Sequence, residues 1–230
     1  MYSFRNDYSE GAHPKVLQAL ADTNLRQTVG YGMDPCCQAA ADTIRRLCAA
    51  PDAAVHFLVG GTQVNLVTID AFLQSYEAVV AAQTGHVSTH ETGAIEATGH
   101  KVLPLPSQDG KITPKQVEQF CAVHWADPTR EHIVQPGMVY LSQPTETGLL
   151  YTRTELEGFR AVCDRYGMYL YIDGARCGYG LAAPENDVDL TDLARLTDVF
   201  YIGGTKVGAL CGEAVVFPHG APAHFMTMVK

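Results

Sequence analysis

The stretch Met168-Tyr169-Leu170-Tyr171-Ile172-Asp173-Gly174-Ala175-Arg176 is a short apolar run that stops at a carboxylate and a glycine. Five apolar or aromatic residues in a row, without polar alternation, describe a strand covered on both faces. Upstream, residues 153–166 read as a helix, and Thr152 with Glu155 form its capping box. Downstream, a short helix near 190–196 leads to apolar runs at 199–202 and 214–217. The same alternation extends back towards the start. Strands are expected at 55–59, 78–81, 102–105 and 138–142. Helices are expected at 62–74, 88–97 and 114–125, the last capped by Thr113. Strand–helix repetition at this spacing predicts an α/β fold with a mainly parallel, doubly wound sheet. Before it come an amphipathic helix at 38–49 and a Gly-, Asp-, Asn- and Tyr-rich arm with one short helix at 14–22. The expected organisation is an arm and helix over 1–45 and one large domain over 46–230.

Composition narrows the function classes. The 230 residues suffice for a large buried core, and 47% hydrophobic against 18% charged residues excludes intrinsic disorder. No apolar run approaches the roughly 18–20 residues of a membrane helix. A net charge of −9 without any Lys/Arg block argues against a nucleic-acid partner. The opening MYSFRNDYSEGAHP has neither a basic nor an apolar leader region, so no secretion signal is expected. Seven cysteines, an odd number without any CxxC, fit reduced thiols and a cytoplasmic protein rather than a disulfide or zinc scaffold.

In doubly wound sheets ligands bind beyond the carboxyl ends of the strands. Four such ends here carry unusual chemistry. The run at 55–59 ends in Gly60-Gly61-Thr62 as a helix begins, which is a phosphate cradle in principle and an ordinary turn otherwise. Asp173 directly follows an apolar strand, so it needs a partner: a cation, a helix start, or simply Arg176. The run at 199–202 ends in Gly203-Gly204-Thr205-Lys206, where a crowded lysine can serve as a Schiff-base nucleophile. The run at 78–81 leads to Gly85-His86 and His90-Glu91, an aromatic ring in position to stack on a planar cofactor. The His86–His90 spacing raises zinc, but no third ligand is evident and no metal is expected. Residues 178–183, GYGLAA, match GxGxxA without the strand that a dinucleotide fingerprint requires. Taken in order, a phosphate turn, a ring, an Asp and a Lys are the groups that pyridoxal phosphate requires. Its phosphate wants a glycine-led helix start, its pyridine nitrogen a carboxylate, and its aldehyde a lysine.

The runs VGGTQVNLVTI from Val59, GHVSTHETGAIEATGHK from Gly85, YIDGARCGYGL from Tyr171 and DVFYIGGTKVGALCGEAVV from Asp198 resemble the low-specificity threonine aldolase and β-eliminating lyase family. YGMDP, from Tyr31 to Pro35, is similar to its N-terminal signature. The resemblance implies pyridoxal 5'-phosphate, the aspartate aminotransferase fold (fold type I) and cleavage of β-hydroxy-α-amino acids such as threonine to glycine and an aldehyde. It implies that Lys206 bonds the cofactor and Asp173 faces its pyridine nitrogen. His86 would stack on the ring, and Arg176 would lie beside cofactor or substrate. Gly60, Gly61 and Thr62 would hold the phosphate with help from Thr205. Tyr31, Glu91 and Asn6 would line the substrate pocket. Family members are homodimers or homotetramers, and they continue into a small C-terminal domain that supplies an arginine for the substrate carboxylate. That domain is expected to lie outside this sequence.

Two departures bear on substrate choice. Classical members have Glu-Asn-Thr-His at one strand end, and its His meets the substrate hydroxyl; the corresponding stretch here is Gln143-Pro144-Thr145-Glu146. Classical members also have Ser-Asp near the start, where this chain has Asn6-Asp7. β-Elimination and transamination on the same cofactor therefore stay open beside aldol cleavage. So does an inactive homologue with a binding or structural role.

Overall fold

The computed structural model describes residues 3–230. After the arm, α1 (Pro14–Thr23) and α2 (Pro35–Leu47) each open on a proline, whose missing N–H costs nothing in a first turn. The Asp34 carboxylate accepts from the backbone N–H groups of Cys36 and Cys37, both at 2.9 Å, and so caps α2. This helix runs straight through the boundary expected at 45/46. Arg45 Nε donates to the Ala53 carbonyl at 2.8 Å, and Ile44 packs on the core beside Cys48. α2 is thus tied to the core at its C-terminal end.

The alternation then appears as expected, with edges shifted by a residue or two. It runs through β1 (Ala54–Leu58), α3 (Gly61–Phe72) and β2 (Glu77–Ala82). One difference follows. The helix expected over 88–97 is two single turns, α4 (His86–Thr89) and α5 (Ala94–Ala97). Between them Thr92 and Gly93 take φ of 55° and 74°, a left-handed pair that no α-helix can continue through. β3 (Lys101–Leu105), α6 (Pro114–Ala126), β4 (Gln135–Ser142), α7 (Arg153–Tyr166) and β5 (Tyr169–Asp173) come next. α8 (Cys177–Ala182), α9 (Leu190–Leu196), β6 (Val199–Gly203), β7 (Glu213–Phe217) and α10 (Phe225–Val229) complete the series. Thr152 builds the capping box anticipated for α7, and Thr113, anticipated as the cap of α6, forms one too with Gln116, each worth about 1 kcal/mol.

The sheet order is β1-β7-β6-β5-β4-β2-β3. Strands β2 to β6 pair in parallel, while β7 is antiparallel to both β6 and β1. Two antiparallel steps return β1 to the direction of β6. The carboxyl ends of β1, β2, β4, β5 and β6, and the start of β7, therefore share one edge. Because strand side chains alternate, β4 sends Val139 and Leu141 to one face and Met138 and Tyr140 to the other. The first set packs with Leu156, Phe159 and Cys163 of α7, the second with Val64 and Ile69 of α3. This is the mainly parallel, doubly wound α/β sheet read from the sequence. Cys48, Cys121, Cys163 and Cys177 are buried in it as small hydrophobes. Burial pushes the Cys48 and Cys121 thiols up to about 11. Among the described residues no helix is long and apolar enough to cross a membrane.

Candidate active site

A cavity of about 370 Å³ opens at the shared edge of the sheet. Gly60, Gly61 and Thr62 enter it from the end of β1, His86 from β2, Asp173 and Arg176 from β5, and Thr205 and Lys206 from β6. The sequence-expected phosphate turn, ring, carboxylate and lysine thus meet in one place. β5 and β6 are neighbours, so Asp173 and Lys206 are brought together by adjacent strand ends. The loops that follow them touch directly: Gly203 N–H donates to the Gly174 carbonyl at 2.9 Å. A Cβ on Gly174 would overlap the Tyr201 carbonyl oxygen, and one on Gly203 would overlap that of Ala175. Only glycine permits this approach.

Asp173 is 3% exposed and fully engaged. Its Oδ1 accepts from Tyr201 Oη at 2.5 Å and from Ala175 N–H at 2.9 Å. Its Oδ2 accepts from Tyr140 Oη and from Asn65 Nδ2 at 3.1 Å. Burial pushes the Tyr140, Tyr171 and Tyr201 phenols well above their ordinary value, so all three remain donors. Asn65 joins this set to a second carboxylate. The same amide nitrogen donates to Glu91 Oε1 at 2.5 Å, while its Oδ1 accepts from Tyr171 Oη at 2.5 Å. Glu91 Oε1 in turn pairs with His86 Nδ1 at 2.8 Å. That hydrogen bond raises the His86 imidazole above 6.5 against the opposing effect of burial. A buried polar floor therefore runs from Asp173 through Asn65 and Glu91 to His86.

The lysine loop is held from β7. Glu213 Oε1 accepts from Thr205 Oγ1 at 2.7 Å and its Oε2 from Gly204 N–H at 3.1 Å. Burial pushes the Glu213 carboxyl up, and those two bonds offset only part of the rise. Arg176 does not pair with Asp173. It forms a two-pronged ion pair with Asp7 of the arm, Nε to Oδ2 at 2.5 Å and Nη2 to Oδ1 at 3.1 Å. Burial is the largest effect on the Asp7 carboxyl and raises it, but the hydrogen bond and charge of Arg176 together with the Lys206 charge outweigh burial and hold it below the usual carboxylate range.

Three expected pocket residues do not line this cavity themselves. Glu91 lies beneath the cavity and acts on it through His86. Asn6 accepts from Tyr8 N–H and Ser9 Oγ and lines an adjoining cavity with Asp7, Thr205 and Lys206, while Tyr8 lines the first cavity and Asp7 reaches it through Arg176. Tyr31 is exposed, with φ of 59°, beside the Lys230 ammonium and away from this cavity. The GYGLAA stretch is consumed by α8 and opens no dinucleotide turn. Sequence reading missed Ser142, Glu213 and the floor residues Asn65, Tyr140 and Tyr201, and named Glu146 only within the stretch that departs from the family pattern. Ser142 and Glu146 follow the same strand-end rule that singles out Asp173. The tyrosines are hidden inside apolar runs.

The topology defines the class first: it is that of fold type I. Aspartate aminotransferase from Rhizobium meliloti shares it with a TM-score of 0.72 at 15% identity, over 96% of this chain and 55% of that one. The chain belongs to the beta-eliminating lyase family, whose profile matches residues 4–221. It is similar to the low specificity L-threonine aldolase of Pseudomonas aeruginosa, with 34% identity over 93% of this chain and 61% of the relative. The threonine aldolase of Leishmania major superposes with a TM-score of 0.92 at 48% identity, over all of this chain and 67% of that one. The chain thus spans about three fifths of the length of the curated relatives it matches.

Proposed function

We propose that the cavity binds pyridoxal phosphate and serves a lyase that cleaves the Cα–Cβ bond of β-hydroxy-α-amino acids, threonine and allo-threonine among them, to glycine and an aldehyde. The observation that carries this reading is the convergence of Lys206 and Asp173 on one cavity beneath an open helix start. The names of the relatives support the choice of reaction.

The residues fit this cofactor. Helix α3 begins at Gly60 without any side-chain cap, and a Cβ at Gly60 would meet nothing within 4 Å. The free N–H groups of its first turn and the Thr62 hydroxyl would hold the phosphate. Asp173, fixed by four donors, would face the pyridine nitrogen, and Lys206 supplies the amine that binds the aldehyde. His86 would lie against the ring, and Arg176 would lie at the substrate end. When bound, the cofactor supplies an electron sink conjugated to the substrate's Cα. The chain's own task is to aim the scissile bond, exclude water and manage protons.

Purified protein should show a visible absorbance band that borohydride fixes as a mass increment on Lys206. Lys206→Ala should lose that increment completely. Release of an aldehyde from at least one β-hydroxy amino acid is the expected activity. Pyruvate with ammonia, or a keto acid, in its place would reassign the reaction.

We also infer a cytoplasmic homodimer or homotetramer. Phe4 and Leu25 are more than 90% exposed, and Val29, Tyr31 and Met33 form an exposed apolar run that a second copy would cover. Light scattering behind size exclusion measures the mass directly, and a monomer in solution would refute the assembly.

A further inference from the structure

Resting on that reading, we propose that Glu146 recognises the substrate's β-hydroxyl and takes up its proton. Three carboxylates line the cavity: Asp173, Glu213 and Glu146. Both oxygens of Asp173 are committed to Tyr140, Tyr201, Asn65 and Ala175. Both oxygens of Glu213 hold the lysine loop. Glu146 differs. Its Oε1 accepts from Ser142 Oγ at 2.6 Å and from the His86 backbone N–H at 2.8 Å. Its Oε2 has no protein partner among the described residues, and the side chain is half-buried in the cavity wall. One oxygen pinned and the other free makes an oriented acceptor, and the free oxygen serves an O–H better than any other carboxylate oxygen here. His86 is a weaker candidate, because its bond to Glu91 favours the protonated, donating imidazole.

The proton balance is simple. The β-hydroxyl O–H bond breaks and its proton passes to Glu146 Oε2. The oxygen's pair becomes the second bond of the departing aldehyde. The Cα–Cβ pair stays with the Cα fragment, which gains one proton to become glycine. The role also explains how the chain selects a β-hydroxy substrate with Gln143-Pro144-Thr145-Glu146 at the end of β4.

The test is Glu146→Gln in the full-length, cofactor-loaded protein. Glutamine keeps an acceptor for Ser142 and His86 but cannot take a proton. Binding is read from the cofactor's absorbance change on titration with threonine and with glycine, which lacks the hydroxyl. Threonine affinity should fall about tenfold while glycine affinity stays within about twofold. Aldehyde release should fall by roughly 10²–10⁴-fold. Equal changes for both ligands, or no change for either, would overturn the role of Glu146. If Glu146→Gln does not fold, Ser142→Ala unpins the carboxylate and should cut the threonine-over-glycine preference about threefold. An unchanged preference there overturns the role as well. Wild-type protein that binds both ligands but releases no aldehyde overturns the reaction and this role together. Wild-type cleavage matched by Glu146→Gln overturns this role alone.

Discussion

Gly60-Gly61-Thr62 and Gly203-Gly204-Thr205 are the same three residue types at the ends of two strands, and they do different work. At the second, glycine is required by the protein itself. A Cβ on Gly203 would overlap the Ala175 carbonyl oxygen, and one on Gly204 would stand 2.5 Å from that of Gly212. At the first, Gly61 meets only the Tyr201 hydroxyl, at 3.0 Å, and Gly60 meets nothing. Gly60 also sits in extended backbone, φ −162°, which any residue adopts. No internal contact explains the glycine there, whereas a ligand lying close against the backbone does. One motif welds two loops together. Its twin leaves a space.

The contrast breaks most sharply at Gly174, which completes the weld. Its carbonyl accepts from Gly203 N–H, and an added Cβ would overlap the Tyr201 carbonyl oxygen. Gly174→Ala should therefore cost about 3 kcal/mol or more, read as a large drop in the urea midpoint or melting temperature. A variant as stable as wild type would mean that the loops after β5 and β6 are not in obligatory contact.

Gly60→Ala is the opposite experiment. Stability should stay within about 0.5 kcal/mol of wild type, since the backbone is unstrained and the site is open. Affinity for pyridoxal phosphate should nonetheless fall about tenfold, because the methyl occupies the cradle. Equilibrium dialysis of the reduced-background Lys206→Ala protein, with and without Gly60→Ala, measures this without covalent capture. A Gly60→Ala protein that melts early, or that binds the cofactor as well as its parent, would erase the difference between the two glycine regions.

Much of this contrast was legible in the sequence, and the reasons for the rest are physical. Apolar runs of five or so residues announced β1 to β7 because both faces of the sheet are covered. Asp173 and Lys206 stood out because each is a charged residue at or just beyond the end of such a run, and both line one cavity. Thr113, and Thr152 with Glu155, gave away the starts of α6 and α7. The break at Thr92 was hidden, since Val87 and Ile95 are spaced as on one helix and positive φ at threonine has no reliable signature. Tyr31 and Asn6 were assigned to the pocket by resemblance; in the single chain Asn6 lines an adjoining cavity with Lys206, and Tyr31 is exposed at a separate one. The floor was invisible for another reason. Tyr140, Tyr171 and Tyr201 read as bulk inside strands, and Asn65 reads as a surface residue of α3, although its side chain is completely buried. Their hydroxyls and amide find Asp173 and Glu91 only after the sheet has formed.

That floor lies beneath both glycine regions, and Glu91→Gln asks how far it tunes the space between them. Glu91 Oε1 holds His86 Nδ1 at 2.8 Å and Asn65 Nδ2 at 2.5 Å, and an amide in its place keeps the shape but removes the charge. The His86 imidazole is raised above 6.5 by that bond, while burial pulls the other way. A raised imidazole contributes stability that is full below about pH 6.5 and is lost as pH climbs through its elevated value. In Glu91→Gln the larger of the raising effects is lost and only the Asp173 charge still opposes burial, so the His86 resonance should titrate below its wild-type position in an NMR pH series. The variant should be less stable than wild type by on the order of 1 kcal/mol at about pH 6, and the gap should narrow as pH rises. Gly60 and Gly203 should feel neither change, because no bond of the floor reaches them. If His86 titrates as in wild type, then Glu91 does not set its charge, and the cavity is tuned by the two glycine regions alone.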